Sequence, residues 1–246
     1  CCAPACFFGP LPHVDKGGFC SLSPGDPGAT CFQSDLEDTL VLEPTFRTEG
    51  GEARLLDCFA MHQGGRSAPH LQLIRILEGV RGRVDFAISV VPRFDYGEVK
   101  PWIRRHSSRI YSAIGGNDGI LVASDAVLKP DRDAHDLDAV ASVRAEQRIR
   151  LSISFVRPEA LEYTLPELPD AEQIDARLLE TERWWRRWTK QITLDGAHRA
   201  TVVRSAIALN GPTFAPTGAM AAAATPSLPQ VLGGGRHWAY RFSWLR

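Results

Sequence analysis

Every second residue is apolar across Arg148-Ile149-Arg150-Leu151-Ser152-Ile153-Ser154-Phe155, and the residues between are Arg, Arg, Ser and Ser. A helix cannot segregate such a pattern, because its faces repeat at about 3.6 residues. A strand can, with one face on a core and the other in water. Val84, Phe86, Ile88 and Val90 repeat the alternation, with Asp85, Ala87 and Ser89 between them. Leu71 to Leu77 precedes that run, and Gly79 to Gly82 offers a turn, so the two runs predict a hairpin. Thr39 to Thr48 and Glu52 to Ala60 predict a second hairpin, joined at Gly50-Gly51, where glycine takes positive φ without steric cost. Tyr111 to Ile114 and Ile120 to Ser124 flank a third glycine-rich turn. Short strands at this density, with no long helical pattern before about residue 170, imply an antiparallel β-sandwich.

The period then changes. Ile174, Leu178, Thr181, Trp185, Trp188 and Ile192 fall on one face of a helix. Asp170 stands ready as its N-cap and Asp195-Gly196 as its end. A second helix is expected over Ala197 to Leu209, with Val202, Val203, Ala206 and Leu209 apolar, stopped by Gly211-Pro212. Thr217 to Thr225 reads as extended or loop. Pro226, Pro229 and Gly233 to Gly235 then lead into the aromatic stretch His237 to Arg246.

Composition narrows the function. In 246 residues, 44% are hydrophobic, enough for a sizeable core. A formal net charge of −1 gives no electrostatic reason for a nucleic-acid or membrane partner. No signal peptide and no apolar run long enough to span a bilayer is legible. With Cys1, Cys2, Cys6, Cys20, Cys31 and Cys58 lacking metal-ligand spacing, the chain reads first as a cytoplasmic protein with free thiols, no metal and no cofactor, a disulfide or zinc site being the alternative. Both ends look arbitrary, so it reads as part of a longer protein.

Four clusters invite a site. Trp184, Trp185 and Trp188 among Arg183, Arg186 and Arg187 resemble a stacking platform for bases. However, Trp185 and Trp188 share the apolar helical face and are expected to pack against a neighbouring domain. Asp131, Asp133, Asp136 and Asp138 lack the glycine and glutamate of a calcium loop and read as an acidic surface loop. Gly233 to Gly235 does not follow the strand-to-helix dinucleotide pattern. In His237 to Arg246, four aromatics accompany two arginines. That combination suits either plain packing or a sugar, whose apolar ring faces and hydroxyl rims call for aromatic planes and charged donors.

Several stretches, in order, resemble glycoside hydrolase family 15, the glucoamylases and their bacterial trehalase relatives. They are Ala3 to Phe7, Asp38-Thr39-Leu40-Val41-Leu42-Glu43, Asp57 to Met61, Pro92-Arg93-Phe94-Asp95-Tyr96-Gly97, Trp184-Trp185-Arg186-Arg187-Trp188, Phe214 to Ala219, Thr225 to Pro229, and Tyr240 to Arg246. The resemblance implies a β-sandwich over 1–165, a helical linker over 166–195, and the start of an (α/α)6 catalytic barrel, incomplete, over 196–246. It implies a longer parent that hydrolyses α-glucosidic bonds of an α-glucan with inversion, as a glucoamylase, with an α,α-trehalase acting on a trehalose-type sugar as the alternative. The acid and base would be glutamates in the missing barrel, so no catalytic residue is assigned here and the chain alone is expected to be inactive. Tyr240, Trp244 and Arg246 match substrate-binding positions, while His237, Ala239 and Ser243 depart from the family pattern. A reading of another class is a non-catalytic sandwich module with a docking or carbohydrate-binding role.

Overall fold

The computed structural model describes residues 17–161, 167–215 and 217–221. Eleven strands come first: β1 (Phe19–Pro24), β2 (Thr30–Phe32), β3 (Thr45–Arg47), β4 (Gly51–Phe59), β5 (Gln72–Val91), β6 (Trp102–Arg105), β7 (Ile110–Gly115), β8 (Asp118–Ser124), β9 (Lys129–Pro130), β10 (Leu137–Arg144) and β11 (Arg148–Val156). Helices α1 (Ala171–Thr189) and α2 (Arg199–Asn210) follow, and then a short hairpin of β12 (Thr213–Phe214) and β13 (Ala219–Met220). The expected architecture, an antiparallel β-sandwich followed by helix, is what forms. No helix among the described residues is long and apolar enough to cross a membrane.

Both sheets share β5. Its first half pairs with β4 on one side and β11 on the other, within the order β2-β3-β4-β5-β11-β8-β7-β6. Its second half pairs with β1 and β10, and β9 adds to β10. The expected hairpin of Leu71 to Leu77 and Val84 to Val90 is therefore corrected: the two runs are one continuous strand that passes from sheet to sheet. The glycines read as its turn have another purpose. A Cβ on Gly79 would lie 1.9 Å from the Arg144 carbonyl oxygen, and one on Gly82 would lie 2.2 Å from that of Gly50. Backbones meet at this bend too closely for side chains. The register also slips between Glu52 and Ala53, a β-bulge of the kind that sharpens a bend. The β10–β11 connection follows the same corner, with Glu146 N donating to Gly79 O at 3.0 Å and Ala145 N to Gly82 O at 3.1 Å.

The β3–β4 hairpin forms, although only Thr45–Arg47 of the expected longer first strand is regular. Neither Gly50 nor Gly51 has positive φ. They are needed for close approach instead, since a Cβ on Gly51 would sit 2.2 Å from Arg81 O. Between the sheets lies the main core, built from Val84, Phe86, Ile88 and Val90 of β5 together with Tyr111, Val122, Leu137 and Leu151. On the second sheet the alternation behaves as expected, with Asp85 and Ala87 exposed and Val140 of β10 81% exposed.

On β11 it does not. Ser152 is only 1% exposed, and Arg148 and Arg150 are half-buried. The polar face expected in water is covered by α1, because the helix needs a surface for its own apolar stripe. Ile174 and Leu178 pack with Val41, Leu56, Cys58, Ile74 and Ile76 on the outer face of the first sheet. Asp170 caps the helix as expected, and Gln173 completes a capping box: Gln173 N donates to Asp170 Oδ1 at 2.8 Å, and Asp170 N to Gln173 Oε1 at 3.0 Å. The helix ends at Thr189, earlier than the expected Asp195-Gly196.

Close approach at the bend predicts that Gly79→Ala destabilises the chain by about 1–3 kcal/mol through overpacking. Gly25→Ala, whose Cβ would meet nothing nearer than 3.6 Å, is expected to be near neutral. Urea midpoints of the two variants check this.

Candidate functional site

The described structure builds a platform of helices on the outer face of the first sheet. Its foundation is a layer of half-buried charge. Arg150 donates from Nε and Nη2 to Asp175 of α1 at 2.8 and 2.7 Å, and from Nη1 to Asp125 at 3.0 Å. Arg148 bridges Glu78 (2.6 Å) and Asp175 (3.3 Å), and Arg54 joins Glu78 to Glu43 at 2.6 Å each. Burial alone would raise the Asp175 carboxyl; the hydrogen bonds and charge of Arg150, helped by Arg148, outweigh it and hold the group below its ordinary value. Glu78 is likewise lowered, burial being outweighed by the hydrogen bonds and charges of Arg54 and Arg148. The same pairing, led by the hydrogen bond to Asp175, raises Arg150. Beside this layer, Gln72 Nε2 donates to Ser152 Oγ at 2.6 Å, and Arg177 of α1 donates to Gln72 Oε1 at 2.5 Å. These paired groups at the sheet–helix seam fix the helix in rotation as well as position.

The second tier rests on tryptophan. Trp185 is 3% exposed and packs with Val203 and Ile207 of α2, with Leu40 and Met61 at its margin. Trp184 and Trp188 meet it edge-to-face, with ring centroids 5.0 and 6.0 Å away. Trp185 therefore packs, and its partner is the following helix α2; it is not open to stack on a base. Arg204 of α2 ties this tier to the sandwich, donating to Thr39 O at 3.2 Å and pairing with Asp35 at 2.9 Å. An open cleft runs between Asp35–Thr39 and α2, floored by Leu36, Val203 and Ile207. The other face of α2 leaves Val202 and Leu209 exposed, with Phe214 just beyond. Within the segment expected to be extended or loop, Ala219–Met220 form β13, paired with β12.

The expected sugar-binding residues Tyr240, Trp244 and Arg246 lie outside the described residues, as do His237, Ala239, Gly233 to Gly235, Cys1, Cys2 and Cys6. Cys20, Cys31 and Cys58 are free thiols. Burial, with the charges of Asp57 and Glu182, pushes the Cys58 thiol up to about 12, far from a reactive thiolate. Among the described residues, no three His, Cys, Asp or Glu side chains gather as a metal site. Part of the acidic loop is not a solvated surface. Asp136 forms a two-pronged pair with Arg93, itself 8% exposed, at 2.5 and 3.2 Å. Asp131 accepts from the backbone N–H groups of His135 and Asp136. The loop is thereby tied to Pro92-Arg93-Phe94. Sequence reasoning missed this tie and the charge layer. The available signals were Arg148 and Arg150 on the polar set of a strand, and Asp175 on a helix that had to be covered.

No family model matches the chain. It is similar to three trehalases: 31% identical to that of Thermoplasma volcanium over 97% of this chain, 36% identical to that of Thermoplasma acidophilum over 70%, and 30% identical to that of Mycolicibacterium smegmatis over 95%. These matches cover 37%, 28% and 37% of the relatives' own lengths, so the chain spans little more than a third of the proteins it resembles.

Trp185→Ala should cost about 3–5 kcal/mol by opening a cavity under α2, and Trp185→Phe clearly less, as read from urea unfolding. Asp175 and Glu78 are both depressed on folding, from ordinary values of 3.8 and 4.5. Their contribution is therefore complete above those values and is lost as pH falls through the lowered ones. Near-UV circular dichroism of the tryptophans should show α1 loosening in that acid range. Asp175→Asn should cost about 1 kcal/mol at neutral pH and flatten the acid dependence.

Proposed function

We propose that this chain is the sandwich and first helices of an α-glucosidic hydrolase of trehalase type, with a trehalose-type sugar as its substrate. The observation that carries the reading is the similarity to trehalases over nearly all of the chain, joined to a sandwich followed by helices. That similarity moves the expected substrate from the 1,4-α-glucan of a glucoamylase to trehalose.

In this proposal residues 1–165 form the sandwich domain, 166–195 the linker, and 196–246 the entry into a helical catalytic barrel. The role of α1 is mechanical. Its charge layer and capped start hold Trp185 in place, and Trp185 holds α2, the first helix of the barrel. Exposed Val202 and Leu209 on α2 favour burial against further barrel helices, since an apolar stripe on a helix calls for a partner. Tyr240, Trp244 and Arg246 are proposed as part of the glucose-binding wall, the aromatics lying against the sugar ring and the guanidinium donating to its hydroxyls.

The chemistry proposed for the full-length protein is inverting hydrolysis. One carboxylic acid protonates the glycosidic oxygen while an opposed carboxylate activates water, the two standing roughly 6.5–9.5 Å apart to admit that water. Both are assigned to the barrel outside this sequence, and no acidic residue of the chain is given either role. The chain alone would be a non-catalytic module.

The test is glucose release by the purified full-length protein. Release from trehalose, with little from maltooligosaccharides, is the expected result. Preference for maltooligosaccharides would restore the glucoamylase reading, and no release from either would overturn the hydrolase assignment. The isolated 246-residue chain is expected to release none from either.

A further inference from the structure

The segment from Met61 to Leu71 links β4 to β5 and carries two histidines outside everything assigned above. Their rings stack, with centroids 4.1 Å apart and planes at 35°. His62 Nδ1 lies 2.8 Å from the Gln63 carbonyl oxygen and Nε2 lies 2.7 Å from that of Ala68, so both ring nitrogens face acceptors. A neutral imidazole carries one N–H and satisfies one of these carbonyls; an imidazolium donates to both. The loop's own backbone closure depends on these contacts, because they span the turn from Gln63 to Ala68. The loop also clamps α1. Met61 N donates to Thr181 Oγ1 at 2.9 Å, and Arg187 Nη1 donates to Gln63 Oε1 at 2.8 Å.

We propose that the stacked His62–His70 pair is a proton-operated latch: the loop stays closed against α1 while the pair carries no more than one proton, and a second proton opens it. A single charge suits the geometry, since a cationic ring over a neutral one is attractive while two cations at this separation repel. The charged groups that act on His70 are Arg177 and Glu180 of α1 together with His62, and Arg187 of α1 reaches the loop at Gln63. Arg177 and a charged His62 oppose a proton on His70, and Glu180 favours it less strongly. His70 is held below its ordinary value of 6.5, first by burial, then by the charges of Arg177 and His62, with Glu180 opposing. The sign follows: closure is complete above the ordinary histidine value and weakens as pH falls through the lowered value of His70. The latch does not depend on the enzymatic reading.

The test uses the 246-residue chain. Imidazole NMR signals of His62 and His70 are followed through acid titration. Tryptic cleavage after Arg66 is timed at about pH 7.5 and about pH 5, each rate divided by that of a free peptide spanning residues 61–71. The normalised rate should rise at least about threefold in acid, in step with the His70 signal. In His70→Phe, which keeps the ring and removes the proton, the rise should vanish. A normalised rate that does not change with pH, or an undiminished rise in His70→Phe, would overturn the latch. Should the variant unfold, the wild-type titration still decides, because loop opening out of step with His70 also contradicts it.

Discussion

The backbone of β5 has to turn a corner, and most of the molecule is arranged around that necessity. One strand of 20 residues supplies hydrogen bonds to both sheets. The corner is possible only where Gly51, Gly79 and Gly82 let three backbone segments come closer than any Cβ permits. Because β10 and β11 flank the two halves of β5 in turn, they repeat the bend. The sandwich closes over a core in which Phe86, Ile88, Tyr111 and Leu151 are essentially buried. The outer face of the first sheet is then left with both an apolar patch and a row of arginines, and α1 is the element that satisfies both. Its apolar stripe meets Ile74 and Ile76, and its Asp175 meets Arg148 and Arg150.

This division explains what was legible in the amino-acid sequence. Alternation in β11 and the second half of β5, the helical stripe of Ile174 to Trp188, and Asp170 as a cap are local patterns, and local patterns survive folding. The continuity of β5 was not legible, because glycines at a strand corner and glycines in a hairpin turn look alike without the partner strands. The fate of the β11 polar face was not legible either. A row of Arg and Ser is ordinary on a solvated strand, and only the approach of a helix carrying a matching carboxylate makes it an interface.

Trp185 could be assigned to packing from its spacing alone, and it does pack on Val203 and Ile207. Composition makes the acidic run from Asp131 to Asp138 look like plain surface, yet Asp136 is the partner of a buried Arg93. Sugar recognition was read from four aromatics and two arginines at the end of the sequence, which lie outside the described residues. The similarity to trehalases covers nearly all of this chain and 37% of the length of the Thermoplasma volcanium protein.

The account stands or falls on whether the platform delivers Tyr240 and Arg246 to a sugar. The most direct measurement is a structure of the full-length protein with a non-hydrolysable trehalose analogue bound. The account predicts α1 seated on the sheet through Arg150 and Asp175, and Tyr240 and Arg246 within hydrogen-bonding distance of one glucosyl ring. Tyr240 and Arg246 facing away from the bound sugar would contradict it.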